Sequence, residues 1–334
     1  MRNNPKDTAD GGALPSRRLF LAAPLFLGWP ALAQDRPVIR AAVLRIGTVN
    51  WELQTILREG LDERHGFRLE VQGYADGTAA HLAVEGGAAD LAVSDMIWLA
   101  RQRVAGRDYV MIPYSRAVGG VVVPGDSAAR TLADLRGGKI GIAGGPLDKS
   151  WLILRAYARA QYGMDLAAET EQVYGAPPLI YKSALRGGYA GAVNFWHFLA
   201  RMRAGGMRDL VSVAQAAGGL GLDPETPLIG YYLKAGFLAA HPGLAQAFHD
   251  ASRDAKDLLA RSDAAWEALR PLMGATDDAE FAALRAGWLE GVPRRGPVDS
   301  AGARAMLALM AELGGAALMG PVRDLPEGLF ADVI

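Results

Sequence analysis

The chain has 334 residues, enough for about two domains, and a hydrophobic content of 51%, which is ample for a buried core. Its formal net charge of −1 argues against nucleic acid as a partner. The absence of cysteine excludes disulfide bonds, thiol nucleophiles and zinc–thiolate sites.

The first 33 residues have the pattern of an export signal. A twin-arginine sequence, Ser16-Arg17-Arg18-Leu19-Phe20-Leu21, precedes a short apolar run and Ala31-Leu32-Ala33, an A-x-A cleavage site. The apolar run is too short for a transmembrane helix. We therefore predict a twin-arginine signal peptide at 1–33, with Gln34 as the first residue of a mature periplasmic protein. The alternatives are an uncleaved anchor and a chance basic-apolar segment.

Beyond the signal, strand patterns alternate with helix patterns. We predict strands at 38–46, 67–71, 91–94, 109–113, 119–123, 139–143, 171–173, 190–193, 210–213 and 228–233. Four long helices, 242–261, 264–273, 279–290 and 301–313, follow the last strand, and we expect them to pack around the first half of the molecule. This alternation indicates an α/β fold with mainly parallel sheets. No apolar run here approaches the length of a membrane span.

The stretch 139–154, KIGIAGGPLDKSWLIL, combines a strand, a glycine turn and a helix start. Asp148 is suited to cap this helix, because its carboxylate can accept from the free N–H groups of the first turn. Free N–H groups and the positive end of a helix dipole suit an anion, which Lys149 and Ser150 could help to bind. The alternative is a plain strand–helix connection with a solvated lysine.

Two patterns occur twice in the chain, in the same order. The segment 43–57 passes from a strand through a glycine to a helix, and Trp51 stands where Trp151 stands in the stretch above. The segments 83–99 and 184–199 each have a Gly-Gly stop, a short strand, polar residues at its end, and then Trp98 or Trp196. These repeated patterns predict two Rossmann-like lobes of similar structure.

The two lobes would enclose a central cleft, because ligands of open α/β sheets bind beyond the carboxyl ends of the strands. We predict lobe 1 at 34–120 plus 229–334 and lobe 2 at 121–228. Both lobes would contribute polar loops and aromatic rings to the cleft.

Several side chains near these loops are candidates for ligand contact. The four tryptophans could stack on a planar or cationic ligand, or belong to the core. Arg116 would suit a carboxylate or sulfonate, and Asp95 could bind a ligand donor or cap its own helix. Tyr231 lies where the chain re-enters the first lobe. His197 is a further candidate, and none of the five histidines has metal-ligand spacing, so we expect no metal and no cofactor.

Five blocks of sequence form a recognisable set. They are GT at 47–48, GGAADLA at 86–92, LADLRGGKIG at 132–141, ALRGG at 184–188 and HPGL at 241–244, of which the third is the most specific. Together they resemble the periplasmic substrate-binding proteins of nitrate/sulfonate/taurine-type ABC importers. The resemblance covers nearly the whole mature chain. It implies a two-lobed periplasmic-binding-protein fold that closes on a small molecule and delivers it to a membrane permease driven by an ATPase.

The resemblance also implies which loops bind the ligand. Those loops contain Thr48, Asn50, Trp51, Ser94, Asp95, the segment 145–151 with Lys149, Ser150 and Trp151, and Asn194 and Trp196. We accordingly expect a monomeric, non-enzymatic solute-binding component of an ABC importer that captures a small organic or inorganic anion. The alternatives are an accessory or sensor protein with a ligand cleft, and an enzyme on the same frame, although no G-x-S-x-G nucleophile elbow is present.

Overall fold

Two five-stranded sheets organise the protein. The computed structural model describes residues 36–333, so the predicted signal peptide lies outside the described residues. The first sheet contains β1 (Val38–Leu44), β2 (Arg68–Tyr74), β3 (Leu91–Asp95), β4 (Tyr109–Ser115) and β10 (Ile229–Lys234). The second contains β5 (Gly119–Pro124), β6 (Lys139–Ala143), β7 (Glu171–Gly175), β8 (Gly191–Phe195) and β9 (Met207–Ser212).

The two sheets have the same topology. Their strand orders are β2-β1-β3-β10-β4 and β7-β6-β8-β5-β9. The orders coincide when β6 to β9 are placed on β1 to β4 and β5 is placed on β10. The repeat predicted from the sequence is therefore present in the fold.

Each sheet is mixed: four of its five strands run in the same direction, in agreement with the predicted mainly parallel sheets, and one strand runs against them. β1 pairs in parallel with β2 and β3, and β6 pairs in parallel with β7 and β8. β10 and β5 are antiparallel to both of their neighbours. The reason is topological, since β5 and β10 are the strands with which the chain enters each sheet from the other one. The α/β class is as predicted.

Helices connect the strands and extend the chain beyond them. Within residues 36–333 they are α1 (Val49–Arg58), α2 (Leu61–Arg64), α3 (Gly77–Glu85), α4 (Met96–Val104), α5 (Lys149–Tyr162), α6 (Leu166–Glu169), α7 (Pro177–Leu185), α8 (Trp196–Ala204), α9 (Val213–Gly219), α10 (Ala235–Ala240), α11 (Leu244–Arg261), α12 (Asp263–Met273), α13 (Asp278–Glu290) and α14 (Ser300–Met319). A short 3-10 helix, Leu132–Leu135, precedes β6. The helices α1, α4, α5 and α8 begin close behind β1, β3, β6 and β8, so their first turns lie at the carboxyl ends of those strands.

The long C-terminal helices do not all pack around the first sheet, which corrects our expectation. α11 and α12 contact α1, but α13 packs on α8, and α14 packs on both α4 and α5. Gly287 permits the close approach of α13, because a Cβ there would lie 2.9 Å from Trp196 Cε3. The helix α13 thus packs on an element of the second half of the fold, and α14 packs on elements of both halves.

The helix α14 is the one helix within residues 36–333 that is long and apolar enough to cross a membrane by length and composition. One of its faces is buried in the protein, with Met306, Leu307 and Met310 among its buried side chains. Its exposed positions include Arg304 and Glu312. This pattern is typical of a surface helix of a globular domain.

A buried ion pair fixes the position of α1. Lys256 Nζ donates to Glu52 Oε2 at 2.5 Å, and the side chains are 2% and 0% exposed. The hydroxyls of Ser252 and Tyr231 donate to the other carboxylate oxygen at 2.6 Å and 3.0 Å. Burial lowers the pKa of Lys256, and Glu52 opposes this effect. The network joins α1, β10 and α11. The spacing of apolar residues in the sequence does not predict it.

We predict that Lys256→Met destabilises the protein by about 3–5 kcal/mol, because the Glu52 carboxylate would remain buried without its cationic partner. The measurement is the free energy of unfolding in urea. Lys139→Met is the matched control, since Lys139 pairs with Glu171 at 3.1 Å on the surface, and should cost about 1 kcal/mol or less. Equal losses in the two variants would contradict the importance of the buried pair.

Candidate functional site

A cavity of about 380 Å³ lies between the two sheets. Its walls come from the carboxyl ends of β3, β4 and β8, from the start of β10, and from the helices α1, α4, α5, α8, α9 and α14. The polar and aromatic lining residues are Thr48, Asp95, Tyr114, Ser115, Asp148, Lys149, Ser150, Phe195, Trp196 and His197. The aliphatic lining residues include Val49, Val93, Ile97, Val118, Ile153, Val213, Leu228, Ile229, Met306 and Met310.

The amino-terminal ends of five helices meet at this cavity, because the first residues of α1, α4, α5, α8 and α9 line it. Asp95 caps α4 by accepting from the Trp98 N–H at 3.0 Å, and Asp148 caps α5 by accepting from the Trp151 N–H at 3.1 Å. By contrast, α1 and α8 have no side-chain cap. Uncapped first turns carry partial positive charge and suit an acidic group, although in α1 the Asn50 and Trp51 N–H groups already donate to the Gly47 and Thr48 carbonyls.

An ion pair crosses the cavity. Lys149 Nζ, at the start of α5, lies 3.1 Å from Asp95 Oδ2, at the end of β3, and the side chains are 41% and 29% exposed. The pair joins elements of the two sheets. A pair of this exposure contributes at most about 1 kcal/mol, so a ligand can compete with it.

Burial shifts the pKa values of two further lining groups. It raises the pKa of the Asp148 carboxyl, although the capping hydrogen bond and Lys149 favour its charged form. Burial, with a smaller contribution from Arg201, lowers the pKa of His197 to about 4. His197 is therefore neutral at neutral pH and adds no positive charge to the cavity.

Five of the predicted ligand residues come together in the cavity: Thr48, Asp95, Lys149, Ser150 and Trp196. His197, a further candidate, lines it too. Thr48 and His197 are more than 140 residues apart in the chain, yet the matching topology of the two sheets brings their loops face to face.

Three predicted polar residues lie beside the cavity without lining it. Asn50 donates to the carbonyls of Leu44 and Gly47 and so fixes the loop after β1. Asn194 is 1% exposed and bridges the Pro177 carbonyl and the Phe195 N–H. Ser94 lies opposite Gly230 in the first sheet.

Three predicted aromatic residues belong to the core. Trp51 is 3% exposed and packs edge-on against Trp196 and Trp266, with ring centroids 6.0 Å and 6.1 Å apart. Trp151 is 1% exposed, and Tyr231 is fully buried with its hydroxyl on Glu52. Trp51 belongs to a hydrophobic cluster with Leu259 and Trp266, and Trp151 belongs to a different cluster that contains Ile142.

Arg116 lies outside the cavity lining and has partners within the protein. Its Nη1 lies 3.2 Å from Glu225, which also pairs with Arg294 at 3.1 Å. Arg116 follows β4 and Glu225 precedes β10, so the pair links the two segments that connect the sheets. A guanidinium engaged in this way is a poor candidate for binding the ligand.

Sequence reasoning missed most of the apolar lining. Tyr114, Ile97, Ile153, Phe195, Met306 and Met310 were not singled out. Apolar side chains on helices and strands have the same periodicity whether they face a core or a cavity. The position of Phe195, directly before Trp196, was the one available signal.

Two like sheets, two connecting segments and a cavity between the strand ends define a periplasmic-binding-protein fold. Solved structures with this arrangement include the periplasmic aliphatic sulphonate binding protein SsuA from Escherichia coli, with a TM-score of 0.68 and 19% identity over 88% of this chain and 97% of that one. The alkanesulfonate-binding protein SsuA from Xanthomonas axonopodis pv. citri, bound to MOPS, has a TM-score of 0.64 and 20% identity over 90% and 99%. An ABC transporter protein from Parabacteroides distasonis has a TM-score of 0.67 and 14% identity over 88% and 99%.

The chain belongs to the NMT1/THI5-like family, whose model matches residues 59–264. No curated protein matches it. The resemblance stated from the sequence is thus confirmed at the level of family and fold. At these identities the solved structures establish the fold alone, so the ligand has to be argued from the site.

We predict that His197 lowers the stability of the protein as the pH falls from about 6.5 to about 4. Within this window the unfolded chain binds a proton at His197 and the folded protein does not, so the free energy of unfolding decreases with falling pH. His197→Phe removes the proton site and retains a ring beside Phe198, whose centroid is 4.5 Å away. The free energy of unfolding in urea, measured at several pH values in this window, should fall less with decreasing pH for the variant than for the wild type. An equal fall in the two proteins would contradict the prediction.

Proposed function

We propose that the protein is the periplasmic solute-binding component of an ABC importer. It captures a small organic anion between two lobes and delivers it to a membrane permease driven by an ATPase. The cavity between the sheets carries this proposal, because uncapped helix ends and a mainly apolar wall meet in it.

The anionic group of the ligand follows from the local charge. The uncapped ends of α1 and α8 offer partial positive charge, and Lys149 is the basic residue beside them. A monovalent carboxylate or sulfonate can accept hydrogen bonds at such helix ends. We assign Thr48, Lys149, Ser150 and the start of α8 to this role, with Asp95 as the group that holds Lys149 in place.

The organic body of the ligand follows from the rest of the lining. There is no arginine among the described residues of the cavity wall, and Lys149 already has Asp95 as a partner. A small inorganic anion would leave most of the volume of about 380 Å³ unfilled and would lie against aliphatic side chains. An apolar body fills this space and gains roughly 25 cal/mol for each Å² removed from water.

The proposed lobe 1 is 34–120 plus 229–334, and the proposed lobe 2 is 121–228. In this proposal the protein is a monomer, and ligand binding favours closure of the two lobes.

We assign no catalytic role to the site. The Ser115 hydroxyl donates to the Gly291 carbonyl and accepts from the Ala117 N–H, and in the described part of the chain the ring contacts of His197 are to Phe195, Trp196 and Phe198. No nucleophile is paired with a base among these groups.

The first test is a ligand screen by thermal unfolding of the purified protein. Nitrate and sulfate are compared with carboxylates and sulfonates that carry alkyl or aryl bodies. We expect stabilisation by the organic acids, amounting to about 2.7 kcal/mol at a ligand concentration of 100 Kd, and none by the inorganic ions.

Variants locate the binding to the cavity. Ile153 is 2% exposed in the wall, so Ile153→Phe should extend a ring into the cavity and reduce the stabilisation while the circular dichroism spectrum is retained. Leu179→Phe, on the exposed face of α7, is the matched control and should behave like the wild type. Stabilisation by nitrate or sulfate that survives Ile153→Phe would refute the proposed ligand class.

The export route has its own test. Arg17→Lys combined with Arg18→Lys keeps the charge of the signal but removes the twin-arginine pattern. We expect the protein to remain in the cytoplasm of a bacterium that exports the wild type, as measured by cell fractionation. Undiminished periplasmic protein would exclude the twin-arginine route.

A further inference from the structure

The helix α14 lies across both halves of the fold at the cavity. It packs against α4, which follows β3 of the first sheet, and against α5, which follows β6 of the second. The family match ends at residue 264, before this helix begins. One wall of the cavity therefore comes from a part of the chain that the family model does not cover.

Two methionines of α14 form its contribution to the cavity. Met306 and Met310 line the cavity and are 3% and 0% exposed. Their spacing of four residues places them on one helix face. They belong to the same hydrophobic cluster as Ile97, Ile153 and Val213, which also line the cavity. The five side chains make one continuous apolar wall.

The two methionines of α14 determine which part of a ligand this wall can contact. The polar side chains of the cavity come from the strand ends and the first turns of other helices, while α14 contributes thioethers alone. A thioether has no strong hydrogen-bonding group, so it contacts the apolar body of a ligand and not its acidic group. Its unbranched, polarizable chain also adapts to ligand shape.

We propose that Met306 and Met310 are specificity-determining residues that limit the length of the apolar body the cavity accepts. This inference rests on the proposed function. The acidic group binds at the helix ends, and the apolar body extends toward α14 until it meets the thioethers.

The test uses two probe series, n-alkanesulfonates and n-alkanecarboxylates of increasing chain length, with binding measured by calorimetry. For the wild type we expect affinity to rise roughly fourfold with each methylene up to an optimum length and then to fall. Met306→Ala and Met310→Ala each shorten a side chain by three heavy atoms. Their optimum should lie roughly two to three carbons further along the series.

Two controls separate the cavity wall from the stability of the helix. Leu307 is 2% exposed on α14 but does not line the cavity, so Leu307→Ala should lower the melting temperature and leave the optimum length unchanged. Met306→Leu keeps an apolar side chain of similar volume and should retain the wild-type optimum. Where an alanine variant fails to fold, Met306→Val or Met310→Val removes less volume and should give a smaller shift in the same direction.

The outcomes distinguish the two proposals. An unchanged optimum in the Met306 and Met310 variants overturns the inference and leaves the proposed function standing. An equal shift in Leu307→Ala also overturns it, because the effect would then arise from the position of α14. Failure of the wild type to bind any member of either series overturns the proposed function and this inference with it.

Discussion

The carboxyl ends of β3, β4 and β8 and the helix starts that follow β1, β6 and β9 meet at one cavity. This constraint decides most of the site. It brings the first turns of α1, α4, α5, α8 and α9 together, and with them the positive ends of their helix dipoles. Asp95, Asp148 and Ser212 cap α4, α5 and α9, whereas α1 and α8 have no side-chain cap and can interact with an acidic group of a ligand.

Residues much later in the chain hold these helix ends in position. Glu52 holds α1 to α11 through Lys256, and the indole of Trp51 lies between Trp196 and Trp266. These contacts cross between elements that are about 200 residues apart in the chain. The C-terminal helices thereby fix the first turn of α1 and the indole of Trp196, and α14 closes the apolar wall. The site is a product of the whole described chain.

Sequence reasoning located the loops of the site better than their side chains. Asp95 and Asp148 cap helices as predicted, and the loops of Thr48 and Lys149 do face each other. Trp51 and Trp151 were placed beside the cleft but lie in the core, since helical spacing does not distinguish a cavity from a core. Arg116 was expected near the ligand, but Glu225, more than 100 residues later, pairs with it.

The sequence by itself determined the α/β class, the internal repeat, the family and the helix caps. Each of these depends on short-range patterns: the spacing of apolar residues, glycine at strand ends, and a carboxylate three residues before an N–H group. The tertiary structure alone decided which side chains face the cavity, which charges are paired and where α13 and α14 pack. Those outcomes depend on contacts between distant segments, and no local pattern contains the partner of Lys256 or the position of Met306.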